Sequence, residues 1–250
     1  MTQLDVPIKA GSGAPVVVLH GFAMRPGTYD GLVRLLAERC HVFVPDLFAV
    51  RGRWSYPKVL DAFIATVDAL GLHRVSLIGH SFGGAIELGF ASRFPDRVVE
   101  VVFSDSLAAS REWQLAAEVL HHPVRLLRLA TPRATTAFAR TCIDHPRQLV
   151  DAAWWGFTSG REVDSEVVAR AGVPAHVLWA NRDSLLERSD GEAFAKDVNA
   201  TFTVASAPDG RAMDHDWMFQ QPDVFVDRLE TLGLTALSGA ATPVGRPPVR

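Results

Sequence analysis

The apolar run Val75-Ser76-Leu77-Ile78 passes without a break into Gly79-His80-Ser81-Phe82-Gly83-Gly84 and then into a helical pattern. Ile86, Leu88, Phe90 and Ala91 supply the apolar positions of that helix, and Pro95 stands just beyond its end. A strand that ends in G-x-S-x-G and turns straight into a helix holds the serine on a sharp bend. Its hydroxyl rises from the sheet edge, and the following backbone N–H faces the same point. Side chains two residues before or after the serine would collide with the neighbouring strand or helix, or resist the strained dihedrals, so glycine is needed there. This is how a nucleophile is presented, and acyl transfer is the first chemistry it suggests. The five-residue pattern alone also fits a purely structural turn. The strand before it and the helix after it give the motif its weight.

The same alternation of strand and helix runs along much of the chain. Val16-Val17-Val18-Leu19 is apolar throughout, as a strand buried on both faces would be. Gly27 to Arg39 follows with Leu32, Leu35 and Leu36 at helical spacing, then Val42-Phe43-Val44 as a strand and Pro57 to Leu70 as a helix. Val98 to Phe103, Val173 to Ala180 and Thr201 to Val204 read as further strands, and Pro222 to Leu232 as a closing helix. The fold class is therefore α/β, with a mostly parallel central sheet and helices on both faces. From Leu107 to Ala171 only helical patterns occur, divided by Pro123, Pro132 and Pro146. One face there carries Trp113, Ala116, Ala117 and Leu120, another Leu149, Val150 and Ala153. The expected organisation is a core from residues 1–106 and 172–234, a helical excursion at 107–171, and a disordered tail at 235–250.

Of the 250 residues, 48% are apolar and 21% charged, enough for a full-sized core and too few charges for general disorder. A net charge of -3 offers no footprint for nucleic acid. Arg125, Arg128, Arg133 and Arg140 gather in the helical block, where the apolar residues between them suggest a solvated helix face rather than a membrane-binding one. The two cysteines, Cys40 and Cys142, lie far apart and form neither a disulfide framework nor a zinc site, and Cys40 reads as core. No apolar run approaches the ~20 residues of a membrane span. No signal peptide is visible, so a cytoplasmic protein is expected. Oligomeric state is not legible.

A serine needs a base, a group that orients the base, and donors for an oxyanion. In a parallel sheet all must come from loops at the carboxyl edge. Of the nine histidines, His41, His73 and His176 begin strands and lie at the wrong edge, while His121, His122 and His145 belong to the helical block. His80 must point away from the Ser81 hydroxyl, and His20 suits a packing role beneath the loop that follows it. His215, after the last strand, remains as the base. Asp183 follows a strand end and fits the orienting acid best. Asp105, just past Val101-Val102-Phe103, competes from the same edge. Asp209, Asp214 and Asp216 read as solvated loop carboxylates or local caps. The N–H groups of Phe82 and Phe22 are the expected oxyanion donors, and their rings the expected lining of an acyl pocket. Trp113, Trp154 and Trp155 could line that pocket or pack the excursion onto the sheet.

His20-Gly21-Phe22, the turn at Ser81, Asp183 and His215, in the order Ser…Asp…His, resemble the α/β-hydrolase fold superfamily from about Ala14 to Leu232. The resemblance implies an eight-stranded sheet with a helical cap after the sixth strand. It also implies Ser81 as nucleophile, Asp183 as acid, His215 as base, and Phe22 and Phe82 as oxyanion donors. The chain departs from the pattern where Ala180 and Asp214 replace glycines, and its short segment before Ala14 leaves room for fewer edge strands. The expected activity is hydrolysis of a small, mainly apolar carboxylic ester without cofactor or metal. A lactone, a thioester, a carbon–carbon bond beside a ketone, or perhydrolysis would use the same residues. A ligand-binding member of the fold without turnover is the reading from another class.

Overall fold

A computed structural model describes residues 2–109, 123–158, 165–207 and 209–238. Seven strands, β1 (Ile8–Gly11), β2 (Ala14–Leu19), β3 (Cys40–Val44), β4 (Val75–His80), β5 (Val98–Ser104), β6 (Ala175–Ala180) and β7 (Thr201–Ala205), form one sheet in the order β1-β3-β2-β4-β5-β6-β7. All neighbours pair in parallel except β1, which runs antiparallel to β3 with Ile8 opposite Val44. Among the described residues the sheet thus has one strand fewer than the family resemblance implied, and β1 is the one edge strand ahead of β2. The helical insertion consequently follows the fifth strand of this chain rather than a sixth.

The continuous apolar strands are explained by two cores. Val17 and Leu19 of β2 join Leu77 of β4, Phe103 of β5 and Trp179 of β6 on one face. Val16 and Val18 join Ile78, Val102 and Leu178 on the other. Successive side chains of a strand point to opposite faces, so a strand covered on both needs an apolar residue at every position. Each such side chain contributes about 1.5–3 kcal/mol on burial. The first face is covered by α2 (Tyr56–Ala69), α3 (Phe82–Arg93) and α7 (Arg188–Asp197), the second by α1 (Asp30–Leu36), α8 (Trp217–Gln220) and α9 (Pro222–Thr231). The helix expected over Gly27 to Arg39 is split: Pro26–Tyr29 is a 3-10 turn, with Pro26 at its first position, and α1 follows it.

Between β5 and β6 the described chain is helical: a 3-10 segment Pro123–Leu129, then α4 (Pro132–Asp144), α5 (Pro146–Thr158) and α6 (Ser165–Ala171). Pro132 and Pro146 begin α4 and α5, where a missing N–H costs nothing. Both helices are tied to loops of the sheet. Arg25 pairs with Asp144, and Thr141 Oγ1 donates to the Ala23 carbonyl at 3.0 Å. Arg53 Nη2 meets Asp151 Oδ1 at 2.6 Å, and Gln148 Nε2 donates to the carbonyls of Val50 and Gly52. On α5 the inward face holds Leu149 and Ala152, while Val150, expected inside, is 69% exposed. Val150 follows Leu149 by about 100° around the helix, which carries it off the buried stripe. The face expected at Trp113 to Leu120 lies outside the described residues. Val168 of α6 is fully buried in the core against α3, so this helix packs with the sheet layers rather than with α4 and α5.

The first residues of the segment expected to be disordered, from Thr235, are ordered. Thr235–Leu237 forms a 3-10 turn whose first two N–H groups, of Thr235 and Ala236, donate to the buried Glu100 carboxylate at 3.0 and 3.1 Å. A carboxylate hidden beneath the sheet needs donors, and this segment supplies them. Residues 239–250 lie outside the described residues. Cys40 is core, as its apolar setting suggested. Among the described residues, no helix is long and apolar enough to cross a membrane.

Candidate active site

Ser81 sits between β4 and α3 at φ 49° and ψ -114°, in a region non-glycine residues rarely occupy, at a cost of about 1–3 kcal/mol. The two motif glycines are there because of close approach. A Cβ on Gly79 would stand 2.2 Å from Glu87 Oε2 and 2.7 Å from Gly84 Cα, and one on Gly83 would stand 2.2 Å from the Leu19 carbonyl oxygen. The bend is also pinned from outside. Ser81 N–H donates to the Ser104 carbonyl at 2.9 Å, and the Ser81 carbonyl accepts from Gly84 and Leu107 N–H.

Asp183 lies in the loop after β6 with its side chain 1% exposed. One oxygen, Oδ1, accepts from Leu185 N–H at 2.7 Å and Leu186 N–H at 2.9 Å. The other, Oδ2, meets His215 Nδ1 at 2.8 Å. Burial works against the charged carboxylate, but the facing imidazole and the backbone donors win and hold it below the usual range. Burial likewise opposes a charged His215, yet the carboxylate of Asp183, aided by Asp105, raises its pKa from the ordinary value to about 9.

Asp105 is fully buried, with φ 43°. Its Oδ1 accepts from Ala180 N–H at 2.7 Å, and its Oδ2 accepts from Trp217 Nε1 at 2.6 Å and Ser104 Oγ at 3.0 Å. Burial and the charge of Asp183 push this carboxyl well above the usual range. His215 Nδ1 thus lies against Asp183, while the oxygens of Asp105 are taken up by other donors. Polar atoms of Asp105, Asp183 and His215 lie within 4.8 Å of one another, a grouping that could in principle hold a metal ion. Each carboxylate oxygen in it is already engaged by a donor of the protein, so it is complete as a hydrogen-bonded cluster.

Asp214 does more than the solvated role expected of it. Its Oδ1 accepts from Ser184 N–H and His215 N–H, both at 2.8 Å, and its Oδ2 accepts from Ser184 Oγ at 2.6 Å. Standing where the family pattern has glycine, it ties the loop of Asp183 to the loop of His215. Asn181 adds a second tie through Met213 N–H at 2.8 Å. Asp216 is buried and Asp209 exposed beside Arg211. The ties between these loops join residues some thirty positions apart (about the length of a strand and a helix together), a spacing with no sequence signature.

His20 is buried beneath the following loop. Its Nε2 accepts from Leu47 N–H at 2.9 Å, which leaves Nδ1 to donate to the Gly21 carbonyl. Phe22 and Phe82 flank the site, their rings 6.0 Å apart, and neither backbone N–H has an acceptor among the described residues.

Ser81, His215, Phe22 and Phe82 border one cavity of about 500 Å³, which is also lined by Ala134 and Phe138 of α4 and Ala153 and Phe157 of α5. Its described walls carry no charged side chain other than His215 when protonated. Two of the tryptophans considered as lining, Trp154 and Trp155, are elsewhere. Trp154 is 68% exposed, and Trp155 stacks on Tyr56 at 4.8 Å, joining α5 to α2. Trp113 lies outside the described residues.

The sequence profile of the alpha/beta hydrolase family matches residues 16–228, most of the chain. The chain belongs to the alpha/beta hydrolase family. It is accordingly a hydrolase. A protein of Mycobacterium phage D29 that is provisionally named a non-heme haloperoxidase is 28% identical over 87% of this chain and 86% of its own. The 2-hydroxy-6-oxo-2,4-heptadienoate hydrolase of Pseudomonas putida is 36% identical over 41% of each chain. Among solved structures, a thermophilic esterase from Thermogutta terrifontis superposes with a TM-score of 0.71 at 20% identity, covering 94% of both chains, a likeness of fold.

Proposed function

We propose that this hydrolase cleaves a small, mainly apolar carboxylic ester through an acyl-enzyme on Ser81, with His215 as base and Asp183 as its orienting acid. The observation that carries this reading is the 2.8 Å contact of His215 Nδ1 with Asp183, made by a histidine that borders the same cavity as Ser81. With the Nδ1 proton committed to Asp183, the free lone pair of the imidazole is on Nε2. Nε2 takes the Ser81 proton as Oγ attacks the ester carbonyl, and Asp183 stabilises the imidazolium. The N–H groups of Phe22 and Phe82 receive the oxyanion, the second at the positive end of α3. The imidazolium then protonates the leaving alkoxide. Water, deprotonated by His215, attacks the acyl carbon and releases the acid and Ser81.

The apolar walls favour a neutral acyl group, because an unpaired carboxylate there would forfeit several kcal/mol of hydration. Helices α4 and α5 serve as the cap that keeps bulk water from the acyl-enzyme. The Pseudomonas putida relative favours a second reading, cleavage of a carbon–carbon bond beside a ketone in a dienoate. Turnover of short-chain p-nitrophenyl esters should exceed that of a 2-hydroxy-6-oxo dienoate, a lactone and a thioester. Ser81→Ala should lower it by about a millionfold and abolish labelling by a fluorophosphonate. An undiminished rate in that variant rejects the mechanism.

A further inference from the structure

Building on the assignment of Ser81 and His215, we propose that His80 and Tyr29 are positioning residues that hold the oxyanion loop and the main chain of His215 in register with the nucleophile. The geometry is a continuous chain of hydrogen bonds. Gly21 N–H and Tyr29 Oη are 2.9 Å apart, Tyr29 Oη and His80 Nδ1 2.6 Å, and His80 Nε2 and the His215 carbonyl oxygen 2.8 Å. Gly21 precedes Phe22, His80 precedes Ser81, and the last acceptor belongs to His215 itself. One chain of contacts therefore touches the immediate neighbours of Phe22 and Ser81 and the main chain of His215.

Only one arrangement of protons satisfies it. The Gly21 N–H can only donate, so Tyr29 Oη accepts there and spends its own proton on His80 Nδ1. His80 Nδ1 is then an acceptor and Nε2 carries the proton, which goes to the His215 carbonyl. The other neutral tautomer would set the Nε2 lone pair against that carbonyl oxygen, and a protonated ring would strand the tyrosine proton. Burial agrees, holding His80 far below the ordinary imidazole value, at about 3, with the nearby His215 adding to the effect. Tyr29 and His80 are both buried, and Phe219, from the helical turn just after His215, packs against both rings at 5.5 and 6.0 Å. The fit leaves no slack: a methyl on Gly21 would stand 2.9 Å from His80 Nδ1.

Neither residue borders the cavity, so loosening the chain should act on turnover and leave substrate binding alone. Misplacement of about 1 Å at a reacting group costs up to about a hundredfold. Four variants test the proposal: Tyr29→Phe, which removes one oxygen and keeps the ring; His80→Leu; His80→Gln, whose amide can still donate to the His215 carbonyl; and Ser81→Ala. With p-nitrophenyl butyrate, Tyr29→Phe and His80→Leu should lower kcat about ten- to a hundredfold with KM within about twofold. His80→Gln should recover much of the loss, and the Tyr29→Phe/His80→Leu pair should fall no further than the worse single change. If Ser81→Ala is inactive while folded Tyr29→Phe and His80→Leu keep full kcat, the positioning role is overturned and the serine mechanism stands. A loss shared by His80→Gln, or one tracking a lowered melting temperature with KM rising in step, also overturns it in favour of plain packing. Full activity in Ser81→Ala removes the assignment on which the proposal rests.

Discussion

Replacing Asp183 by asparagine changes one oxygen to an NH₂ group and little else in shape, and the surroundings dictate how the amide must lie. Oδ1 now accepts two buried backbone N–H groups, of Leu185 and Leu186, at 2.7 and 2.9 Å. Turning the NH₂ toward them would leave two donors facing a donor, at about 1–3 kcal/mol for each. The amide oxygen therefore stays with the backbone and the NH₂ faces His215. The imidazole must then accept at Nδ1 and carry its proton on Nε2, the nitrogen that should receive the Ser81 proton. A base locked in the wrong tautomer costs about ten-thousandfold in kcat in comparable triads, or about 5.4 kcal/mol at 1.36 kcal/mol per factor of ten.

Asp105→Asn offers the contrast. Its NH₂ group must face Ala180 N–H or Trp217 Nε1–H, so the expected cost is about 1–3 kcal/mol of folding stability, with activity retained in the fraction that folds. Steady-state kinetics on p-nitrophenyl butyrate, normalised by active-site titration with a fluorophosphonate, separates the two variants. The reasoning fails if Asp183→Asn keeps more than a tenth of wild-type kcat, or if Asp105→Asn is the more damaging to turnover.

Two more outcomes follow from the same cluster. An imidazole can act as base only when neutral, and the pKa of His215 is raised by Asp183 to about 9, so under the proposed mechanism kcat/KM should climb with pH and its acid limb should lie well above the ~6.5 of a free imidazole. The midpoint should fall in Asp183→Asn, where the raising charge is gone, and a profile flat from pH ~6 upward would contradict this. Asp214→Ala should lower stability by about 1–3 kcal/mol in urea titrations and reduce kcat, because Ser184 and His215 N–H lose their common acceptor. Unchanged kcat in that variant would mean that the tie between the two loops is not needed to seat the base.

Which parts of this molecule can be read from its sequence depends on how local the determining contacts are. The interior strands are legible because burial on both faces demands apolar residues in succession, as Val16 to Leu19 show. Strand β1 escapes the same reading: Ile8-Lys9-Ala10-Gly11 lies at an edge with alternate residues exposed, and four such residues carry almost no pattern. Val150 misleads for the opposite reason, being an apolar residue on the outward face of α5. The turn at Ser81 is legible because the residues under steric demand fall within five consecutive positions, although Leu19 and Glu87, which impose part of that demand, lie outside them. Asp105 and Asp183 are different. Both follow parallel strands at one edge of the sheet, and periodicity treats them alike. What distinguishes them is the set of donors each meets: an indole from Trp217 for the first, an imidazole from His215 for the second. Those donors lie two residues apart in the chain, yet they reach carboxylates on separate loops. The different surroundings of the two carboxylates thus come from the one segment Met213 to Trp217, which Asp214 ties to Ser184, next to Asp183.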